Sequence, residues 1–349
     1  MTPPVAQRTD APRILARCRE LVRPALGQAV RQMHPWHAEI TAFSLGWDGS
    51  DGRAAPGAQG KGIRQTLALL GAEAVGGKAE SAVLGAVAVE LIHTFSLLHD
   101  DIMDGDETRR QRATAWKAYG TGPAVLAGDA LFALAVQTLA GAPGNACGQA
   151  VRLLAGTLDE LVRGQADDLL FETRPWTGPD AVQPHEYRVM AEQKTGALLG
   201  CAAGLGAVLG GAGRSETDAL TAAGRHLGVA FQAVDDVLGI WGDPEITGKP
   251  VHSDLRRRKK TYPVLTALAA GGPASLRLGA LLRTGEPLDD RTARRAAGLI
   301  EEAGGRSAAL AEADRHLERA RACLGSVTLA AEPRADLLLL LPYLVERTV

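Results

Sequence analysis

The 349-residue chain is poor in aromatic residues, in cysteine and in any surplus of one charge. Aromatics make up 4% of it, too few to line a large pocket with rings. The four cysteines, Cys18, Cys147, Cys201 and Cys323, lie far apart and form no CxxC pair. That excludes a disulfide framework and a cysteine zinc site, and makes a reducing, cytoplasmic setting the expectation. The formal net charge of −2 removes any whole-chain attraction to nucleic acid or to an anionic membrane. Around Pro3, Pro4, Arg8 and Asp10 there is no apolar signal-peptide core. Runs rich in Val, Ile and Tyr with alternating polarity are scarce, which argues against a sheet.

What is present favours helix. Hydrophobic residues reach 46% and charged residues 22%, an ordinary globular balance with enough apolar surface for a core. Ala, Leu and Arg, all good helix formers, are abundant. Long apolar faces run over 83–99, broken by Glu90 and His93, and over 123–140, 151–170, 186–212 and 217–240. Breaks fall at 46–62, 141–144, 174–184, 242–250 and 271–273, none suited to a domain linker. No fixed-period repeat stands out. The pattern predicts one all-helical domain over 1–349, with about the first ten residues mobile. The uncharged stretch 196–213 is long enough to span a membrane, but seven of its residues are glycine. Glycine weakens a helix and buries little apolar area, so a buried helix that neighbours approach closely is predicted, with no stable membrane insertion.

Two acidic patches carry the chemistry. The first is His99-Asp100-Asp101-Ile102-Met103-Asp104, followed by Asp106, Glu107, Arg109 and Arg110. Asp100 and Asp104 are four apart, so on a helix their carboxylates leave from one face. Like charges there repel, and a hard cation with oxygen ligands would offset that. Magnesium takes one or two carboxylates and completes its octahedron with water and phosphate oxygens. A lone DDxxD can equally be a solvated helix end. The second patch, Phe231-Gln232-Ala233-Val234-Asp235-Asp236, ends another apolar helix. Two Asp pairs embedded in apolar helices are poorly explained as solvated faces.

Basic residues accompany both patches: Lys61 and Arg64 in a glycine-rich loop, Arg109 and Arg110, Lys249, and the run 256–260. Arg presents a planar fork to phosphate oxygens and Lys a point charge. The loop Gly60-Lys61-Gly62-Ile63-Arg64 is not a Walker A sequence, since its spacing differs and no Lys-Ser/Thr pair closes it. Alone it reads as a surface turn. His93 alone reads as a core histidine, but it lies two turns before Asp100 on the same helix.

In this order the motifs closely resemble the trans-isoprenyl diphosphate synthase family, the polyprenyl synthetases. The likeness runs from about Arg23 to Arg347 and takes in GKxxR, Glu90-Leu91-Ile92-His93, DDxxD with Arg109-Arg110, and Gly128-Asp129. It continues through Gly164-Gln165 with Asp168, Lys194-Thr195-Gly196, FQxxDD, GKP, and Asp254-Leu255 before Lys259-Lys260-Thr261. The resemblance implies a single helical bundle around a central prenyl cavity, a homodimer, and three magnesium ions bound with the substrate diphosphate. It implies that Asp100, Asp104 and Asp235 ligate metal, with Asp101 and Asp236 in support. Lys61, Arg64, His93 and Arg110 would hold isopentenyl diphosphate. Arg109, Lys194, Lys249 and Lys259 would hold the allylic diphosphate, with Thr195 and Gln232 near the developing carbocation.

Three positions depart from the family pattern. Gln65 stands where Pro is usual, which predicts a slightly looser isopentenyl site. Gly239 stands where a third Asp is common, and His252 where a small residue is frequent. With the first Asp of each motif retained, activity is expected to survive, and Gly239→Asp is expected to change it little.

The expected reaction ionises the allylic C–O bond with the leaving diphosphate neutralised, shields the cation from water, and lets isopentenyl diphosphate attack. The departed diphosphate is the expected base. A class I terpene cyclase is a rival reading, but it has no use for a second diphosphate site. A non-catalytic partner subunit is another, but such a chain would be expected to lose acidic motifs, and this one keeps both. For product length, Ile92, Phe95 and Ser96 lie one to two turns before Asp100, where a descending tail would meet them. A bulky Phe95 with no insertion in DDxxD implies a C20 product, geranylgeranyl diphosphate, with the C15 farnesyl diphosphate as alternative.

Overall fold

The computed structural model describes residues 10–47, 60–244, 250–283 and 288–345. It is all-α, as expected. In chain order come α1 (Ala11–Arg31), α2 (Pro35–Leu45), α3 (Ile63–Ala74), a 3-10 turn (Ala79–Ala82) leading into α4 (Val83–Met103), α5 (Ala115–Tyr119) and α6 (Thr121–Ala140). Then follow α7 (Ala146–Thr173), α8 (Pro184–Ala191), a π-helical turn (Glu192–Gly196), α9 (Ala197–Leu209) and α10 (Arg214–Trp241). The chain closes with α11 (Ser253–Arg256), α12 (Tyr262–Ala269), α13 (Gly272–Leu282), α14 (Asp290–Glu302), α15 (Gly305–Gly325) and α16 (Ala331–Val345). Among the described residues the only strands are β1 (Thr108–Arg109) and β2 (Arg112–Ala113), an antiparallel hairpin absent from the sequence reading.

Local chemistry sets several helix starts. The Asp10 carboxylate accepts the Arg13 amide at 2.9 Å, with Pro12 in the first turn of α1. Asp289 caps α14 in the same way through the Thr292 amide at 2.8 Å. At α8 the Gln183 amide donates to Glu186 at 2.7 Å, half of a capping box.

The chain falls into two compact units. The first comprises Met1–Ala155, Cys201–Thr221 and Leu324–Leu340. Its centre is α4, where Ala86, Val87, Ala88, Val89, Leu91 and Ile92 have almost no exposed surface. A helix apolar around most of its circumference is stable only when covered on several sides. Here α3, α6 and α9 contribute Leu69, Leu70, Leu131, Leu139 and Leu205, all fully buried. The glycine-rich stretch behaves as predicted: a Cβ on Gly206 would overlap the Ala68 carbonyl, so α9 and α3 touch backbone to backbone.

The second unit comprises Gly156–Gly200, Ala222–Cys323 and Leu341–Val349. One of its apolar clusters gathers Trp176, Ile240, Leu255, Val264, Leu278 and Ile300. Another gathers Phe171, Val182, Tyr187, Met190, Val237 and Tyr262. Among the described residues, two helices are long and apolar enough to cross a membrane by length and composition alone, Ala79–Met103 and Thr121–Ala140, and the glycine-rich stretch is not one of them.

Candidate active site

In the first unit the DDxxD motif sits at the end of a helix. Helix α4 stops at Met103 and Asp104 is its C-cap. The Asp106 amide donates to the Asp101 carbonyl at 2.9 Å and the Gly105 amide to Ile102 at 3.3 Å. That is a Schellman ending, with Gly105 at φ 65° supplying the left-handed residue. Asp100, Asp101 and Asp104 therefore crowd the negative end of the helix dipole, where carboxylates are unfavourable and a cation is favoured.

The three carboxylates are not equivalent. Asp101 is buried, and both Nε and Nη2 of Arg109 donate to its Oδ1, at 2.8 and 2.7 Å. Burial raises the Asp101 pKa, against the pull of Arg109. Asp100 and Asp104 are only partly buried. Among the described residues no three His, Cys or acidic side chains converge at metal-ligand spacing. Carboxylates offered singly or in pairs fit magnesium, which draws its other ligands from water and phosphate.

A cationic cluster lies on the same unit. The Arg64 Nε is buried without a hydrogen-bond partner. Burial, then the nearby Arg110 charge, lower the Arg64 pKa to about 10, against the pull of Glu90. His93 is pushed well below 6.5 by burial and by Arg64, Arg110 and Arg109, which favours the neutral ring. Arg110 reaches its place from a two-residue hairpin loop in which Arg110 and Gln111 have φ of 50° and 61°. This is a primed turn normally built from Asn and Gly, and it costs about 1–3 kcal/mol per strained residue. The turn lays the guanidinium against the Gly60 backbone, where a Cβ would lie 3.1 Å from Nη2. Lys61 is exposed beside it, its carbonyl accepting from Arg19 at 3.3 Å. Two guanidiniums, one with an orphaned buried donor, and a neutral imidazole make a cradle for an anion.

Gln65 is anchored beside this site through both backbone and side chain. Its backbone N–H donates to Glu90 Oε1 at 3.2 Å, a bond that proline could not make. Its side chain folds against Gly62, where a Cβ would overlap it.

Along α4 the residues read as a product-length wall differ from one another. Ile92 has no exposed surface. Ser96 turns its hydroxyl back to the His93 carbonyl at 2.9 Å. Phe95 is partly exposed, its ring centroid 4.7 Å from His99 and 5.8 Å from Phe132 of α6.

In the second unit, the second acidic motif sorts its two carboxylates as the first does. Asp235 is exposed. Asp236 is buried and accepts three hydrogen bonds: from the Tyr187 hydroxyl at 2.6 Å, the Tyr262 amide at 2.9 Å and the Gln232 amide nitrogen at 2.9 Å. Gln232 in turn accepts from Thr195 at 2.8 Å. Thr195 and Lys194 stand on the π-helical turn, a feature common at functional sites. The turn is seated by close backbone contact, since a Cβ on Gly164 would lie 2.5 Å from the Lys194 nitrogen. Lys194 pairs with Asp168 at 2.5 Å. Lys259 is partly buried just after α11, and Lys249 lies outside the described residues.

The other two departures lie together at the end of α10. A Cβ on Gly239 would overlap the Asp254 carboxylate. His252 has φ 62°, and its amide and its Nδ1 both bond the Ile240 carbonyl, at 3.1 and 2.6 Å. The expectation that Gly239→Asp changes activity little now carries a structural condition: a side chain at 239 has room only if the Asp254 carboxylate moves aside.

Sequence reading missed Tyr187 and Tyr262 as holders of Asp236, and Phe132 beside Phe95. All three contacts join residues remote in sequence, and no local pattern announces them.

An all-helical fold with two Asp pairs, each with one carboxylate held back and one or more presented, and a separate anion cradle defines a diphosphate-handling enzyme. Residues 53–299 match the Polyprenyl synthetase family model. The chain belongs to the polyprenyl synthetase family and is a prenyltransferase. A (2E,6E)-farnesyl diphosphate synthase of Mycobacterium tuberculosis is 46% identical over 338 residues, covering 96% of this chain and 92% of the relative. A geranylgeranyl diphosphate synthase of the same organism is 41% identical, covering 89% of this chain and 88% of the relative. The crystal structure of a polyprenyl synthetase from Streptomyces coelicolor A3(2) superposes with a TM-score of 0.90 at 46% identity, covering 96% of this chain and 100% of that one.

Proposed function

We propose that the protein condenses isopentenyl diphosphate with allylic diphosphates to an all-trans prenyl diphosphate, the C20 geranylgeranyl diphosphate. The observation that carries the two-substrate reaction is the Arg64–His93–Arg110 cradle, built apart from the carboxylates and holding a buried guanidinium donor with no partner. A cyclase, which binds one diphosphate, would have no use for it.

In this reading Lys61, Arg64, His93 and Arg110 bind isopentenyl diphosphate. His93 donates a ring N–H to that diphosphate. Arg109, Lys194, Lys249 and Lys259 bind the allylic diphosphate. Asp100, Asp104 and Asp235 hold magnesium, three ions in all, and the metal when bound neutralises the leaving diphosphate so that its C–O bond can break. Asp101 and Asp236 fix the geometry of their neighbours. Thr195 and Gln232, hydrogen-bonded to each other, stand near the carbocation in this reading, and the reaction requires that water be kept from it. Isopentenyl diphosphate attacks with its double bond, and the departed diphosphate takes the proton. A homodimer is part of the reading, and it would cover the apolar outer face of α6, where Leu126 is 54% exposed.

The C20 product rests on Phe95 and Phe132, whose rings meet beside α4. A C15 product is favoured instead by the 46% identity to a farnesyl diphosphate synthase against 41% to a geranylgeranyl diphosphate synthase. Chromatography of products from dimethylallyl, geranyl and farnesyl starters with isopentenyl diphosphate and magnesium decides. Elongation of the farnesyl starter to C20 supports the proposal, and termination at C15 from every starter overturns it in favour of the alternative. Hydrocarbon formed from geranylgeranyl diphosphate alone would overturn the transferase reading.

A further inference from the structure

The second acidic motif ends in glycine, and another segment fills the place. A Cβ built on Gly239 would overlap Asp254, lying 2.5 Å from its Cγ and 3.1 Å from its Oδ1. The Asp254 carboxylate thus stands where a residue-239 side chain would begin, one turn beyond Asp235 on α10.

The segment that delivers it is pinned. The His252 amide and ring nitrogen both bond the Ile240 carbonyl, and the Ser253 hydroxyl donates to the Gly239 carbonyl at 3.3 Å. His252 is left-handed, a conformation that costs a non-glycine residue about 1–3 kcal/mol, and its ring bond helps to offset that cost. Helix α11 is a single turn, so an acidic residue in it gains little as a helix-dipole partner. The same turn leads to Lys259, whose amide donates to the Asp254 carbonyl at 2.9 Å.

We infer that Asp254 supplies the third carboxylate of the second acidic face, and that the glycine at 239 and the histidine at 252 are the two halves of one device: Gly239 makes the room and His252 clamps the segment that fills it. This rests on the magnesium–diphosphate reading above and deepens it, by naming the segment that delivers a carboxylate towards the metal-bound diphosphate.

The test is calorimetric titration of the full chain with inorganic diphosphate, with and without magnesium, alongside thermal melting without magnesium. Asp254→Asn, which keeps the shape and removes the charge, is expected to weaken magnesium-dependent diphosphate binding by ~10-fold or more while melting as the parent does. Gly239→Asp is expected to weaken it too, by displacing Asp254. The exchange Gly239→Asp with Asp254→Gly returns a carboxylate to the helix and is expected to recover most of the binding. Asp104→Ala serves as the control. If it abolishes magnesium-dependent binding while Asp254→Asn leaves binding unchanged, this inference is overturned and the magnesium reading stands. If neither variant changes binding, both fall. An exchange variant that shows the two single losses added together also overturns it. Should Gly239→Asp fail to fold, Asp254→Asn decides alone.

Discussion

Tyr187 donates its hydroxyl to Asp236 at 2.6 Å, and with the Tyr262 amide this bond keeps the second carboxylate of the Asp pair inside the protein while Asp235 faces out. Arg109 does the corresponding work for Asp101 in the first motif. In each pair one carboxylate is structural and its neighbour is presented. Tyr187→Phe removes a donor from a buried carboxyl, which costs about 1–3 kcal/mol. Denaturant unfolding is expected to register that loss, with turnover falling only a few-fold. Asp235→Ala is expected to do the reverse, keeping stability and losing turnover by ~10²-fold or more. An Asp235→Ala enzyme with near-normal turnover would remove Asp235 from the metal site.

Asp104 caps a helix end that already carries Asp100 and Asp101. Removing a carboxylate from that negative pole relieves about 0.3–1 kcal/mol of unfavourable charge. Asp104→Ala is therefore expected to melt at or slightly above the parent temperature without magnesium, and to lose ~10²-fold or more in turnover with it. Near-normal turnover at limiting magnesium would contradict the ligand assignment.

How much of this was legible in the sequence depends on the range of each interaction. Asp100 and Asp104 could be assigned to one helical face from spacing alone. The hairpin was not readable, because Arg110-Gln111 lacks the Asn-Gly chemistry that announces a primed turn. The π-helical turn under Lys194 and Thr195 has no composition signal of its own, and its seat against Gly164 is a contact between helices. At Gln65 a departure from proline reads as a loss, and the bond its N–H makes to Glu90, twenty-five positions away, has no sequence signal. The crowding at Gly239 was hidden because the residue that fills its space lies fifteen positions later.

Away from the carboxylates, His316 and His226 share a 3.1 Å ring contact, and His316 lies 3.2 Å from Glu312. Burial first, then the charges of His226, Arg319 and Arg315, lower the His316 pKa from 6.5 to about 4. The folded state therefore prefers the neutral ring. Its contribution to stability is complete above pH 6.5 and is lost as pH falls through 4, because the unfolded chain takes up the proton first. The fall from 6.5 to about 4 corresponds to about 3 kcal/mol. Melting temperature measured from pH 7.5 to 4 is expected to fall, and His316→Gln is expected to flatten that dependence. Parallel pH profiles for the two proteins would show that other groups govern acid sensitivity.

In the proposed reaction, product length turns on whether the Phe95 and Phe132 rings stop the growing prenyl tail or simply pack. Their centroids are 5.8 Å apart at 61°, an edge-to-face pair worth about 0.5–1.5 kcal/mol beyond burial. Neither ring is fully buried, and Phe132 is 39% exposed, so truncation of either costs less than the ~3–5 kcal/mol of a buried core Phe. Both alanine variants are thus expected to fold. One helical turn spans ~5.4 Å, comparable to one added isoprene unit. Removing Phe95 at the near end is therefore expected to yield products at least one unit longer than the parent's, and removing Phe132 as well to lengthen them further. Ile92→Ala, at a position with no exposed surface, is expected to lower stability without lengthening the product. Thin-layer or liquid chromatography of the dephosphorylated alcohols reads all of these together. An active, folded Phe95→Ala enzyme with the parent's product lengths would reduce the ring pair to packing, and the search for the floor would move to other residues on α4 and α6.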